Sequence, residues 1–357
     1  MKQRVLFVGR SRYRLPLAET LRRKWDALAD VIDVRVVASS FDRTEGDATF
    51  RLRRRTPLDG PLFWVTLPLR VRREAAAWKP DAIMAQSPFE AAAALVARTG
   101  VPVIVELHGD WRTFARLYGS PLRRAAARIA DAVGSWAVRH ASAVRTVSPY
   151  TSRLAREAGR EVAAEFPAYM DLDPFSGPAY PLPAQTTALF IGVLEPYKNI
   201  DGLAAAWRRA KPQLPDAALR LVGSGTRTDI PASLVRDGLA TWEPRLDTDG
   251  IVRALDDSSV LVLPSRSEGM GRVVIEAQLR GRPVLGSNVG GIPDLVTDGV
   301  DGVLVEPNPD ALAASLVRLL ADPAEIARLA AAARAAGERW LVTPEEYAES
   351  VRALVAG

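Results

Sequence analysis

Short apolar runs alternate along this chain with longer stretches of helical spacing. Arg4-Val5-Leu6-Phe7-Val8-Gly9 predicts a strand, Pro16 to Leu28 a helix and Val31 to Ala38 a second strand. The same alternation gives a strand at Asp81–Ala85, a helix at Phe89–Arg98, a strand at Val101–Leu107, a long helix at Leu122–Arg139 and a strand at Ala143–Val147. Ser148 is placed to cap a helix that begins at Pro149. Strands alternating with helices predict a doubly wound α/β domain, in which ligands gather at the carboxyl ends of the strands.

Phe166 to Thr187 has no period and holds five prolines and a glycine, which predicts a linker. Asp171 and Asp173 within it read as a turn rather than as metal ligands. Beyond it the alternation returns. Strands are expected at Ala188–Gly192, Leu219–Gly225, Gly238–Trp242, Val260–Leu263, Pro283–Gly286 and Gly302–Val305. Helices are expected at Asn199–Ala210, Thr248–Asp256, Val273–Leu279, Pro309–Leu320, Pro323–Gly337 and Glu345–Ala356, with a glycine turn into a short helix at Val289–Leu295. The fold class is therefore α/β, as two Rossmann-like doubly wound domains. The boundaries are 1–170, a linker at 171–187, and 188–338, with 339–357 expected to cross back to the first domain.

Residues 40–80 follow no clear pattern. Arg51, Arg53, Arg54 and Arg55 precede the apolar run Pro61–Leu69, and Arg70, Arg72 and Arg73 follow it. Such a stretch suits an anionic bilayer or a phosphorylated lipid acceptor. Pro61 and Pro68 interrupt an amphipathic helix and favour a core helix with a solvated flank.

Length and composition agree with two globular domains: 357 residues, 48% hydrophobic and 25% charged. The chain has no cysteine, which excludes disulfides, thiolate catalysis and thiolate-held metals. Its two histidines exclude a His-rich metal site. Residues 1–178 carry 29 Lys/Arg against 19 Asp/Glu, and the remainder 18 against 23. The basic first half is expected to meet an anionic surface or substrate. The apolar start MKQRVLFVGR is too short for a signal peptide, and no apolar run reaches membrane-spanning length. A cytoplasmic protein, peripheral at most to the inner face of the membrane, is expected.

The candidate chemistry centres on Pro264–Ala277. A strand runs into Ser265-Arg266-Ser267-Glu268-Gly269-Met270-Gly271 and then a helix, placing two carboxylates, Glu268 and Glu276, eight positions apart. Glycines before a helix N-terminus leave N–H groups and a positive dipole end for a phosphate or sugar oxygen. His108 sits where a strand opens into a loop. Gly9 and Arg10 begin an arginine-bearing loop that also carries Arg12 and Arg14, a candidate acceptor- or phosphate-facing segment.

Three segments carry a resemblance: FIGVLEPYKNIDGL at 190–203, LVLPSRSEGMGRVVIEAQLRGRPVLGS at 261–287, and VGGIPDLVTDGVDGVLVEPNPDAL at 289–312. The chain resembles the retaining glycosyltransferases of family 4, whose GT-B fold sets two Rossmann-like domains across a cleft. The second segment has the family's Glu-x7-Glu signature, and the others resemble its lysine turn and Gly-Gly-Ile-Pro loop. The resemblance implies that Glu276 holds the ribose, Glu268 the donor sugar, and the backbone of Gly192, Gly269, Met270 and Gly271 the donor. Lys198 would meet the leaving diphosphate, and His108, the donor sugar. It implies a nucleoside-diphosphate sugar, UDP- or GDP-linked, as donor and a hydroxyl acceptor, free or lipid-linked. No metal or cofactor and no nucleic acid is implied.

The family's usual arginine is replaced here by Val193, with Arg272, Arg266 or an arginine near Gly9 as substitutes. Retention in such enzymes has no agreed nucleophile; the leaving phosphate is thought to take the acceptor proton on the same face. The alternatives are a non-catalytic or weakened sugar-nucleotide-binding subunit, an epimerase or a phosphorylase of the same fold. A nicotinamide enzyme lacks support because Gly9 has no G-x-G-x-x-G continuation.

Overall fold

The computed structural model describes residues 2–41, 46–53, 59–117, 125–178 and 180–357. It divides into two compact units: most of the chain up to Tyr169 together with Val342–Gly357, and Met170–Leu341.

The first unit holds strands β1 (Arg4–Tyr13), β2 (Asp33–Ser40), β3 (Phe50–Arg53), β4 (Ala82–Ala85), β5 (Val103–Leu107), β6 (Ala143–Thr146) and β7 (Ala164–Glu165). They form one sheet in the order β3-β2-β1-β4-β5-β6-β7, and the pairings are parallel. Helices α1 (Glu19–Val31), α2 (Asp59–Trp78), α3 (Pro88–Val96), α4 (Trp111–Leu117), α5 (Ala127–His140) and α6 (Pro149–Glu157) connect them. Val5–Val8 and all of β5 are buried, as continuous apolar strands must be when helices cover both sheet faces. Ser148 caps α6 in a reciprocal box with Thr151.

One expectation about this unit needs correction. Gly9 and Arg10 do not open a loop; they lie inside the span of β1, which runs to Tyr13 past an irregularity between Val8 and Arg12. The reason is Gln86. Its amide fills the space beside Gly9, where a Cβ would stand 1.9 Å from Oε1. The same Oε1 accepts from Ser11 Oγ at 2.8 Å. The chain bulges there and rejoins β2 at Arg12 and Tyr13.

The apolar run before Arg70 lies in α2, which continues through Pro68. Phe63, Leu67, Val71 and Ala75, four apart, form its buried stripe, while Val65 and Leu69 are exposed. The nearby arginines serve the fold. Arg35 and Arg51 both pair with Glu74, and Arg70 donates to the carbonyls of Ala38 and Arg51. Arg54 and Arg55 lie outside the described residues.

The C-terminal helix, Pro344–Ala356, packs on α1, burying Tyr347, Ala348 and Val351 among Phe7, Trp25 and Leu28. Nearby, Arg145 on β6 is fully buried. It donates to Glu106 Oε1 at 2.7 Å and to the carbonyls of Phe166 and Pro167 at 2.8 and 2.7 Å. Its guanidinium lies 4.1 Å from the Phe166 ring and 5.8 Å from that of Tyr347. One cation thus joins β5, β6, the segment leaving the unit and the helix that re-enters it.

The second unit holds β8 (Thr187–Ile191), β9 (Ala218–Val222), β10 (Thr241–Glu243), β11 (Val260–Leu263), β12 (Val284–Ser287) and β13 (Gly302–Val305), in the parallel order β10-β9-β8-β11-β12-β13. Its helices are α7 (Ile200–Ala210), α8 (Asp229–Arg236), α9 (Thr248–Asp256), α10 (Arg272–Leu279), α11 (Pro309–Leu320) and α12 (Pro323–Glu338). Val289–Leu295 forms successive turns, not the expected short helix. The proline-rich stretch is anchored to this unit. Leu172 and Phe175 are buried against α9 and α10 residues, Arg334 holds the carbonyls of Ser176 and Gly177, and Arg282 that of Pro181. Asp173 opens a short 3-10 turn. Strand order reverses between β1 and β4 in one sheet and between β8 and β11 in the other, so each unit has a crevice position at those carboxyl ends.

Burial strongly opposes ionisation of Glu106, but the Arg145 charge, aided by His108, holds its carboxyl down at about 2. A depressed carboxyl stabilises the fold above its unfolded value of 4.5, and this is lost as pH falls toward 2. Urea unfolding of wild type and Glu106→Gln from pH 5 to pH 2 should show a steeper acid loss in wild type; equal slopes would refute this.

Candidate active site

The switch point of the second sheet gathers the candidate chemistry of the sequence at the ends of β8 and β11. After β8 the chain passes Gly192 and makes the 3-10 turn Pro196–Lys198. Asn199 then takes a left-handed conformation (φ 56°) and starts α7. Its buried Nδ2 donates to the carbonyls of Pro264 and Pro307, both at 3.0 Å. The turn that carries Lys198 is therefore fixed to the strand end that leads to Glu268.

Arg266 makes a second connection. Its N–H donates to the Tyr197 carbonyl at 2.7 Å, and its guanidinium donates to the Pro196 carbonyl at 2.7 Å and to both oxygens of Asp201 at 3.1 and 2.9 Å. Burial resists ionisation of Asp201 most, yet the bonds and charge of Arg266 bring its carboxyl below the usual value. A forked pair of this kind fixes orientation as well as distance.

These ties bring Lys198 Nζ to 2.6 Å from Glu268 Oε2. The two side chains are only 10% and 14% exposed. Ser265 Oγ also donates to Glu268 Oε2, at 3.3 Å, and Ser287 Oγ holds the Ser265 carbonyl. Gly269 and Met270 follow, partly buried, and then Gly271, buried, at the N-cap of α10. Every residue of α10 after Arg272 is buried, Glu276 included. Arg272 Nε donates to Glu276 Oε1 at 2.5 Å and its NH2 to the Asp171 carbonyl at 3.2 Å. Burial lifts the Glu276 carboxyl above the ordinary range, with Arg272 pulling against it.

The backbone beneath this turn explains two glycine pairs. A Cβ on Gly290 (φ +62°) would stand 2.3 Å from the Glu268 carbonyl oxygen, and one on Gly291 2.1 Å from that of Gly269. Gly291 N–H donates to the Glu268 carbonyl at 2.9 Å. In the same way a Cβ on Gly223 would lie 1.9 Å from the Gly192 carbonyl oxygen, so the β9 turn sits directly on the β8 turn.

Gly192, Lys198, Glu268, Gly269, Met270, Gly271 and Glu276 thus converge at one end of the second sheet. Val193 is about half exposed and brings no charge. Of its substitutes, Arg266 is committed to Asp201 and Arg272 to Glu276. Arg10 belongs to the first unit, where its guanidinium lies 5.9 Å from the Trp64 ring. His108 follows β5 in that unit, 43% exposed, with Nε2 3.9 Å from Glu106 Oε2, beyond hydrogen-bond length. Asn199, Ser265, Ser287 and the Arg266–Asp201 pair escaped sequence reading. Their contacts span 65 residues or carry no periodic signature.

Residues 185–322 match a family model described as glycosyl transferases group 1, and residues 9–165 one described as a glycosyl transferase 4-like domain. A D-inositol 3-phosphate glycosyltransferase of Nocardiopsis dassonvillei is 38% identical over 192 residues, 49% of this chain and 45% of that protein. The chain therefore spans about half the length of this curated relative. Among solved structures, sucrose-phosphate synthase from Thermosynechococcus elongatus is similar with TM-score 0.78 and 22% identity, covering 99% of this chain and 98% of that one. Anabaena HepE in complex with UDP-glucose is similar with TM-score 0.66 and 20% identity, over 99% and 98%. Both likenesses concern the fold, which is GT-B.

Gly290→Ala should cost more than backbone strain alone. Gly238 has a similar φ (+67°) with nothing within 4 Å of a Cβ, so Gly238→Ala measures the strain, about 1–2 kcal/mol. Gly290→Ala should lose clearly more in denaturant unfolding, because the Glu268 carbonyl must move. Equal losses would show that the turn yields freely.

Proposed function

The chain belongs to the group 1 glycosyltransferases, and we propose that it moves a sugar from a nucleoside-diphosphate sugar to a hydroxyl acceptor, with retention and without a metal. The observation that carries this reading is the Lys198–Glu268 pair, held by Arg266 and Asn199 and backed by Gly290 and Gly291, at the switch point where such sheets bind nucleotides.

Departure of a diphosphate needs positive charge at the leaving oxygens, and Lys198 with the N–H groups of the glycine turn supplies it electrostatically. Glu268 accepts from the donor-sugar hydroxyls and orients the ring, a contact that strengthens as the ring flattens toward an oxocarbenium ion. Glu276, one helical turn inside, takes the ribose hydroxyls. His108 is the residue assigned to the donor sugar by the family resemblance. The leaving phosphate receives the acceptor proton on the face from which it departs, so no general-base carboxylate is assigned.

The acceptor belongs to the first unit, near Gly9 and Arg10. The excess of Lys/Arg in that half and the exposed Val65 and Leu69 on α2, beside exposed Arg72 and Arg73, favour an acceptor presented at an anionic membrane surface. No described helix is long and apolar enough to cross a membrane. A location at the inner face, in the making of a cell-envelope glycan, fits this picture. A second reading, a sugar-nucleotide-binding subunit without turnover, is favoured by Val193, which leaves the site without the cation expected there.

A screen of UDP- and GDP-sugars for nucleotide release, with uridine donors first because HepE binds UDP-glucose, tests the reading. Turnover is expected with one donor class; binding without turnover would select the second reading, and no nucleotide binding would refute both. Glu276→Ala should weaken nucleotide binding roughly ten- to hundredfold. Because the ribose needs the ionised carboxylate, wild-type affinity should fall as pH drops into the raised titration range of Glu276, while that of Glu276→Gln stays flat.

Vesicles containing anionic lipid should retain the protein at low salt and release it at high salt, whereas neutral vesicles should not bind it. Equal behaviour toward both would remove the membrane from the picture.

A further inference from the structure

The second-unit site contains two ion pairs that use up its charge. Lys198 is matched to Glu268 and Arg272 to Glu276, at 2.6 and 2.5 Å. The remaining arginine of the turn, Arg266, is matched to Asp201. With Val193 in place of a cation, a diphosphate arriving here meets no guanidinium or ammonium of the turn that lacks a carboxylate partner. It must compete with Glu268 for the one ammonium it needs.

We infer that Glu268 is the residue by which this enzyme distinguishes intact donor from released nucleoside diphosphate, through competition with the diphosphate for Lys198. The inference rests on the donor-site reading above and adds a role to it. When an intact nucleotide sugar binds, Lys198 turns to the phosphate, and the sugar hydroxyls replace it as donors to Glu268 Oε2. The partners are exchanged with none left over. After transfer the sugar is gone, and once the proton taken from the acceptor passes to water the diphosphate carries the additional charge of its broken ester. Glu268 then keeps the weak hydrogen bond from Ser265 Oγ, at 3.3 Å, and has lost its cation, which is costly for a carboxylate only 14% exposed. It draws Lys198 back and repels the phosphate, so product leaves. The low exposure of both side chains makes the competition strong, because water screens it little.

The ties around the pair support this assignment. Asn199 and Arg266 hold the two backbone segments together regardless of what Lys198 faces. The ammonium can therefore move between partners while the turn stays in place. Gly290 and Gly291 keep the Glu268 backbone against the β12–β13 side, so the carboxylate can follow the lysine only as far as its own side chain reaches.

The test measures affinity for UDP and for GDP by calorimetry in wild type, Glu268→Gln, Lys198→Met and the double variant. For whichever nucleotide wild type binds, Glu268→Gln should bind it roughly ten- to hundredfold more tightly while losing turnover. Lys198→Met should bind it more weakly, and adding Glu268→Gln to Lys198→Met should recover little of the gain seen alone. Unchanged or weaker binding by Glu268→Gln overturns the inference, as does an equal gain in both backgrounds. Thermal unfolding of each variant reports its fold, and Glu268→Ala gives the same readout should Glu268→Gln not fold. If wild type binds neither nucleotide, the donor-site reading itself fails and this inference falls with it; if wild type binds one and the cycle is additive, only the inference fails.

Discussion

The site of this protein depends on a contact between backbones. Gly290 and Gly291 pass so close beneath Glu268 and Gly269 that a methyl group at either glycine would overlap a carbonyl oxygen. That contact sets the height of the turn, the turn sets Glu268, and Glu268 receives Lys198. A side-chain contact would leave room for adjustment by rotamer change. Backbone against backbone leaves none, and so holds a polar cluster in place at the rim of the sheet. The packed helix α10 continues the constraint, because its burial fixes Glu276 relative to the same turn.

The charge pattern around this turn follows from the same closeness. Carboxylates sheltered from water need partners, and each one here has an arginine or lysine within hydrogen-bond distance. Lys198 and Arg272 sit where a ligand would compete for them, while Arg266 faces outward onto Asp201 and joins two loops. Sequence spacing does not separate these roles. All three cations lie within the same motifs, and only the direction of each side chain decides which one is committed to architecture.

Much of the architecture was legible because the strands are short uninterrupted apolar runs and the helices have capping signals, as at Ser148-Pro149 and Asn308-Pro309. The turn carrying Glu268 was legible from its glycines and its position after a strand. Failures came where local pattern and tertiary contact disagree. Gly9 reads as a strand end, yet β1 bulges past Gln86, the residue after β4, and continues to Tyr13. Pro68 reads as a helix breaker, yet α2 runs through it, since the stripe Phe63–Leu67–Val71 is buried on both sides of it. β3, β7, α4 and α8 are short or weakly patterned, and partners far along the chain hold them in place.

Arg145 has a bearing on how the molecule is made. Its buried guanidinium needs the carbonyls of Phe166 and Pro167 and lies against Tyr347, in the helix that ends the first unit. The unit is therefore discontinuous in the order of synthesis. Residues 170–341 emerge from the ribosome while the face of α1 that receives Tyr347 and Val351 is still uncovered. The core of the second unit comes from one continuous stretch, Met170–Leu341, whereas the first completes its core only after the helix Pro344–Ala356 has been translated. A domain boundary drawn along the chain near Tyr169 would accordingly cut one core cleanly and leave the other unfinished.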